Sequence, residues 1–551
     1  LTAAFREDAA MTDASPLPPD LSSRIDALFA RWDRPDSPGA SVSVTRHGRE
    51  IHRGCYGMAD LAHGVKIDER TVIRIGSQTK QFTVLLALML EAEGKLSMED
   101  DVRAHLPWLP DFPETVTLRH LAANVGGLRD FLEVMILGGL LIGAPSTRAE
   151  ARRIIARHAG VNFRPGTDLI YCNTGFFLLS EIIEQVSGQS YNALLEERIT
   201  GPLGMRDTRL MLWDGAILPR LADHHTSGPD GSWHKAQWGF ALGGEGGIVS
   251  TLEDMKLWLA NLDAPKVGTP EMVARMSAPG AEINGIPTPY GLGLVSCHYR
   301  GLASIGHGGG VAGGRSESVR YPEAGIGVVI LGNTDDMGPF SLARRILDLV
   351  LGHEPGPPRT NAATERLKQA AGLYRAEEGD DVFGIAVKDG QPVFVGNGGG
   401  GMPIEQIGAD AFMPERGIVP LEFTPRDDDD MDTRWFGRAR RFRRLSGTAL
   451  PTAPGLAGRY ADAATGFEAE IDIEGDETVL RLRTPHGVWE TTLEARAPDL
   501  YLAAPRRINA DTPPAADAIE AGGWEFTVRS VAGGIVVNDD RTKGLHLART
   551  R

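Results

Sequence analysis

Residues 81–96 are the segment that most restricts what this chain can fold into. Val84, Leu85, Leu86, Leu88, Met89 and Leu90 leave almost no polar stripe. A helix apolar on every side has no face to turn to water, so it belongs at the centre of a core. Gly94 marks its stop. Such a helix needs a large apolar wrapping, and 551 residues at 42% apolar supply it. At roughly 150 residues per domain the length suggests three or four domains. Disorder over most of the chain is excluded on the same ground.

The surroundings of that helix predict an α/β (α+β) unit. In residues 21–32, Ile25, Leu28, Phe29 and Trp32 have helical spacing. Residues 41–60 read as a hairpin, with Val42, Val44 and Ile51 alternating about His47-Gly48. Strand-like runs at 291–299 and 325–331 close the region. Strands at both ends with helices between predict an antiparallel sheet whose terminal strands lie side by side.

A linker, Gly352-His353-Glu354-Pro355-Gly356-Pro357-Pro358, precedes a change of character. Beyond it, apart from a short helix near 365–371, lie short alternating strands and Gly-rich turns, and they repeat. Ala371-Gly372-Leu373-Tyr374 returns as Ala457-Gly458-Arg459-Tyr460, and Leu421-Glu422-Phe423-Thr424 as Trp524-Glu525-Phe526-Thr527. Between them, Ile404-Glu405 before Asp410-Ala411-Phe412 returns as Leu493-Glu494 before Asp499-Leu500-Tyr501. The economical reading is two small antiparallel β-barrels, the second with an insertion at 504–522. The expected layout is a tail over 1–20, a catalytic domain over 21–355, and barrels over 356–450 and 451–551.

Several function classes drop out on composition. A net charge of −16 repels phosphate backbones and anionic lipids, so nucleic acid and membrane are not expected partners. Three widely spaced cysteines, Cys55, Cys172 and Cys297, fit neither a disulfide framework nor a zinc pattern, and point to the reducing cytoplasm. The opening residues carry early acids and no apolar core, so no secretory leader is expected. The most apolar stretch, 134–144, is broken by glycines and too short to span a bilayer.

Chemistry enters with Gly76-Ser77-Gln78-Thr79-Lys80. Residues three apart on a helix share a face. A serine opening a helix sits near its positive end, and a lysine one turn on reaches the hydroxyl. Burial makes that lysine easier to deprotonate. A second Ser-x-x-Lys, Ser232-Trp233-His234-Lys235, follows a turn cluster and has no apolar helix behind it. Tyr171-Cys172-Asn173 stands on a loop entering the apolar helix 176–186; a phenol can shuttle a proton, and an asparagine amide can meet a substrate carbonyl. His307-Gly308-Gly309-Gly310 lies beside two core strands, where glycines admit a ligand close to the backbone and an edge strand offers N–H groups to an oxyanion.

In the order Ser77, Tyr171, His307 these segments resemble the penicillin-recognising serine hydrolases, the family of serine β-lactamases, D,D-peptidases and related esterases and D-aminopeptidases. The likeness extends over about residues 25–350 and takes in Gly126-Gly127-Leu128-Arg129-Asp130 and Gly243-Gly244-Glu245-Gly246-Gly247. It implies acyl-enzyme chemistry with Ser77 as nucleophile, and Lys80 and Tyr171 sharing the proton work, the base between them left open. It implies an oxyanion hole from the N–H groups of Ser77 and Gly310, with Asn173, His307 and Gly309 at the substrate.

His307 stands where many members carry a lysine, and a mostly neutral imidazole suits a substrate carboxylate poorly. Within the family the D-aminopeptidase branch is nearest, because it too is similar in having two barrels after the catalytic domain, a loop of the last reaching the site. That implies release of N-terminal D-residues, D-Ala above all, from peptides, amides and esters, with no metal or other cofactor, in a homodimer. In the inserted loop, Asp511 is the expected partner of a substrate ammonium. Esterase or β-lactamase activity, or a non-catalytic binding protein on the same fold, are the competing expectations.

Overall fold

A computed structural model describes residues 17–550 apart from 229, 355–360, 397–398, 407–411, 415–420, 427–428, 436–437, 476 and 505–523. Asp511 and all but the first residue of the expected inserted loop therefore lie outside the described residues, as does most of the expected tail.

The hairpin forms where alternation predicts it. β1 (Ala40–Arg46) and β2 (Arg49–Tyr56) join through His47 and Gly48, both at positive φ, the two-residue turn that matches strand twist. Four further strands, β3 (Val295–Tyr299), β4 (Leu302–Val311), β5 (Gly314–Tyr321) and β6 (Ile326–Gly332), complete a six-stranded sheet in the order β3-β4-β5-β6-β1-β2. β1 and β6 pair antiparallel from Ala40↔Gly332 to Arg46↔Ile326, so the two ends of the segment meet at the middle of the sheet.

Both faces of that sheet are covered, which is why β1 and β6 are apolar or small up to Arg46 at the end of β1. On one side Val42, Val44, Val328 and Ile330 pack with α1 (Leu21–Phe29) and with the late helix 339–350. On the other, Val329 and Leu331 join the core around α2 (Thr79–Ala92). Ten consecutive α2 side chains from Thr79 to Leu88 are buried. Each buried leucine among them contributes about 1.5–3 kcal/mol. Phe82 stacks on Trp258 with ring centroids 4.1 Å apart. The helix ends at Ala92, earlier than the apolar run suggests, because Gly94 turns the chain into the left-handed region at φ +70°.

Two closed eight-stranded antiparallel barrels follow, one between Gly372 and Arg444, the other between Gly458 and Arg549. The repeated segments occupy the same places in each. Tyr374 and Tyr460 sit on the first strands, and each donates its hydroxyl to the carbonyl four residues back, Ala370 at 2.6 Å and Leu456 at 2.5 Å. The Leu421 and Trp524 repeats lead into the sixth strands, Leu421–Pro425 and Phe526–Val531. The second barrel packs its core against α3 (Phe131–Leu137), through Val134 and Leu137. The barrels are tied to one another by Arg375–Asp499 at 2.9 Å and Arg529–Asp380 at 2.8 Å. Among the described residues no helix is long and apolar enough to cross a membrane.

Candidate active site

Ser77 lies in a single 3₁₀ turn, Gly76–Gln78, that runs directly into α2. Two glycines bring β4 against it. A Cβ on Gly309 would stand 1.8 Å from the Ile75 carbonyl oxygen, and one on Gly76, itself at φ +54°, 2.8 Å from the Gly310 nitrogen. β3 pairs with β4 only as far as Gly306, so the edge from His307 to Val311 is open on the side of β3. Gly310 and Ser77 line the same cavity.

Lys80 is wholly buried, one turn after Ser77. Its Nζ lies 3.0 Å from Ser77 Oγ, 2.9 Å from Asn173 Oδ1 and 2.5 Å from the Glu245 carbonyl oxygen, which uses all three of its donor positions. Burial pushes its pKa down to about 7, against the pull of Glu245 and Asp130, and Arg541 acts in the same sense as burial. The Tyr171 ring lies under the amine at 4.7 Å. Its buried hydroxyl faces Ser77 without a hydrogen bond of ordinary geometry, and burial raises its pKa well above the usual phenol value. An amine poised to lose its proton at neutral pH and a phenol that keeps its own therefore flank one serine.

Asn173 opens α4 (Asn173–Ser187) and bridges inward. Its Oδ1 takes the Lys80 amine, and its Nδ2 donates to Asp130 Oδ2 at 3.0 Å. Asp130 is itself the N-cap of α3, where its Oδ1 accepts from Leu132 and Glu133, and its Oδ2 also takes the Asn173 backbone N–H at 2.5 Å. One carboxylate thus caps two helices, and Asn173 keeps one N–H for the cavity.

His307 is brought beside Tyr171, ring centroids 6.1 Å apart, but it does not line the cavity. Its Nδ1 lies 2.6 Å from the Gly308 carbonyl and must carry the proton; its Nε2 then accepts from Tyr290 Oη at 2.9 Å. Burial and the Lys80 charge bring its pKa down to about 3. Both ring nitrogens are bonded within the fold, and the imidazole orders β4 beside the nucleophile. Gly309 likewise serves the close approach to Ile75.

The cavity has a volume of about 1410 Å³ and runs from Ser77 to the mouth of the first barrel, where Phe394 and Phe442 line it. Sequence reasoning assigned no role to Asp130 or Glu245, although both lie in the glycine-rich segments it singled out. It missed Tyr290 and Arg541 altogether. For Tyr290 the signal available was its place in Tyr290-Gly291-Leu292-Gly293, just ahead of a core strand. The second barrel meets the cavity through Thr527, Asn538 and the turn 539–544, which contributes Asp540, Arg541, Lys543 and Gly544.

The beta-lactamase family matches residues 25–352, more than half of the chain. The protein belongs to that family, and so to the penicillin-recognising serine hydrolases. It is similar to a D-aminopeptidase of Cereibacter sphaeroides, 29% identical over 528 residues that cover 94% of this chain and 96% of the relative. A D-aminopeptidase of Gluconobacter oxydans is 30% identical over 358 residues, 65% of this chain and 66% of the relative. The octameric penicillin-binding protein homologue from Pyrococcus abyssi shares the fold, with a TM-score of 0.56 and 24% identity over 76% of this chain and 99% of that one. The D-amino acid amidase from Ochrobactrum anthropi SV3 superposes with a TM-score of 0.50 and 25% identity over 60% of this chain and 98% of that one.

Proposed function

We propose that this enzyme works through an acyl-enzyme on Ser77 and releases N-terminal D-residues, D-Ala preferred, from peptides, amides and esters. The observation that carries the chemistry is the buried Lys80 amine 3.0 Å from Ser77 Oγ. Lys80 takes the hydroxyl proton as Oγ bonds to the substrate carbonyl carbon. The oxyanion is held by the backbone N–H groups of Ser77 and Gly310. As the tetrahedral intermediate collapses, the leaving nitrogen takes the Tyr171 phenol proton and Lys80 returns its own to Tyr171. Water then hydrolyses the ester by the same route. The remaining Asn173 N–H orients the substrate amide.

The aminopeptidase part draws on the relatives and on charge. Among the described residues, eight carboxylates and four cations line the cavity, which favours a substrate ammonium. Glu133 stands among them, and Asp511 remains the proposed loop partner. A carboxypeptidase or β-lactamase would want a cation on β4, where the neutral His307 is turned into the fold.

The test is hydrolysis of D-alanine p-nitroanilide beside its L-isomer, a p-nitrophenyl ester and nitrocefin. The D-anilide is the expected best substrate among the amides. A preference for the L-isomer, for the lactam, or for an ester without a free amine overturns the reading.

A further inference from the structure

The chain of hydrogen bonds behind Ser77 ends beside a charge that the beta-lactamase-like region does not supply. The turn 539–544 joins the last two strands of the second barrel and is fastened on several sides. The Asp130 backbone N–H donates to the Arg541 carbonyl at 3.3 Å, and Asn162 Nδ2 donates to the same oxygen at 3.0 Å. Lys543 N–H reaches Asn162 Oδ1 at 2.8 Å, and Arg129 Nη2 reaches the Gly544 carbonyl at 2.8 Å. Lys543 Nζ meets Asp381 of the first barrel at 2.6 Å. A turn gripped by both neighbours delivers its side chain to a defined place.

That side chain is Arg541. Its Nη2 pairs with Glu133 Oε1, and its Nη1 lies 3.9 Å from Asp130 Oδ2. From Asp130 the path runs through Asn173 Nδ2 at 3.0 Å and Asn173 Oδ1 to Lys80 Nζ at 2.9 Å, and on to Ser77 Oγ at 3.0 Å. The guanidinium thus ends an unbroken polar line from the nucleophile.

We propose that Arg541 is a positioning residue of the hydrolase site: supplied by the second barrel, its guanidinium balances the Asp130 and Glu133 carboxylates so that Lys80 is free to take the Ser77 proton. This rests on the Ser77–Lys80 part of the proposed function and not on the substrate preference.

The other groups facing the amine are fixed by the fold. Glu245 lies on the glycine-rich loop, Tyr171 and Cys172 precede α4, and His307 is on β4. Glu245 and Asp130 favour the protonated amine; Arg541 opposes them. Without Arg541, two carboxylates at the start of α3 act on Lys80 uncompensated, and it holds its proton to higher pH.

The test uses the full-length protein and a fluorophosphonate, which carries no amine. Ser77 Oγ displaces fluoride at phosphorus as its proton passes to Lys80, so failure of the aminopeptidase reading leaves this measurement intact. In Arg541→Gln the pH midpoint of the phosphonylation rate moves up by about one unit, with a loss of about tenfold below the midpoint and recovery above it. Arg541→Lys keeps the midpoint of the parent. Glu133→Gln, which removes a negative charge and leaves Arg541 in place, moves the midpoint down; this opposite sign remains readable if Arg541→Gln fails to fold. A midpoint unmoved in folded Arg541→Gln, a loss independent of pH, or an upward shift in Glu133→Gln overturns the proposal. So does an unchanged profile with a raised KM for a carboxylate-bearing substrate, which would make Arg541 a substrate anchor. If the unsubstituted protein is not labelled on Ser77, the nucleophile assignment fails first and the proposal with it.

Discussion

Ser77–Lys80 and Ser232–Lys235 share the spacing Ser-x-x-Lys and have opposite surroundings. The first pair sits where a 3₁₀ turn becomes α2, so three residues of separation return the lysine to the serine's face and the two atoms stand 3.0 Å apart. The second runs into a short strand, Trp233–Lys235, where side chains alternate and the same separation sends them to opposite faces. There Ser232 donates to Asp230 at 2.6 Å, while Lys235 pairs with Asp223 at 2.6 Å with 62% of its side chain exposed. Lys80 has no exposure at all. A sequence pattern acquires chemistry only through secondary structure and burial, and this chain contains its own control.

The largest expected effect breaks the comparison at the serines. Ser77→Ala removes the atom that forms the acyl-enzyme and should lower hydrolysis by about 10⁴- to 10⁶-fold. Ser232→Ala should leave the rate unchanged. Steady-state turnover of D-alanine p-nitroanilide, with fluorophosphonate labelling to count reactive serines, checks both. Comparable losses in the two variants, or turnover surviving in Ser77→Ala, would abolish the distinction.

What separates the two pairs was legible in part. The apolar run after Ser77 and its absence after Ser232 were in the letters, because helix periodicity is local. The barrels were legible through their repeated tyrosines, since each closes the same four-residue hydrogen bond. β4 is harder to read as a strand, because four of its ten residues are glycine and strand propensity is correspondingly low. The supports of the site were out of reach for another reason. Lys80 meets the Glu245 carbonyl 165 residues away, and Arg541 meets Glu133 across 408. No spacing rule spans such distances; the core around α2 brings the first pair together, and the packing of the second barrel on α3 the second. Tyr290 is 17 residues from His307, yet its role appears only when the tautomer of a buried imidazole must be satisfied.

A second effect sharpens the contrast through pH. Lys80 accepts a proton only when neutral, and burial brings its pKa to about 7. The rate kcat/KM should therefore rise with pH through about 7, tenfold per unit on the acidic side. His307, at about 3, adds no step in that range. Lys235→Met should leave this limb untouched. A limb that keeps its place when Lys80 is replaced, in whatever activity remains, would assign it to another group.

The smallest effect is thermodynamic. An unfolded lysine holds its proton to about 10.5, whereas folded Lys80 releases it near 7. Between these values the unfolded state binds more protons, so wild-type stability rises with pH across that window and is level below it. Lys80→Met has no such proton to exchange. It leaves the Asn173 and Glu245 oxygens without a donor, but that cost does not change with pH. The stability of wild type relative to Lys80→Met should thus improve by up to about 1.4 kcal/mol per pH unit between about 7 and 10. The corresponding difference for Lys235→Met should stay within about 0.5 kcal/mol, as for other exposed pairs. Urea unfolding of the three proteins over a pH series measures both slopes; equal slopes would mean that Lys80 is no more desolvated than its surface counterpart.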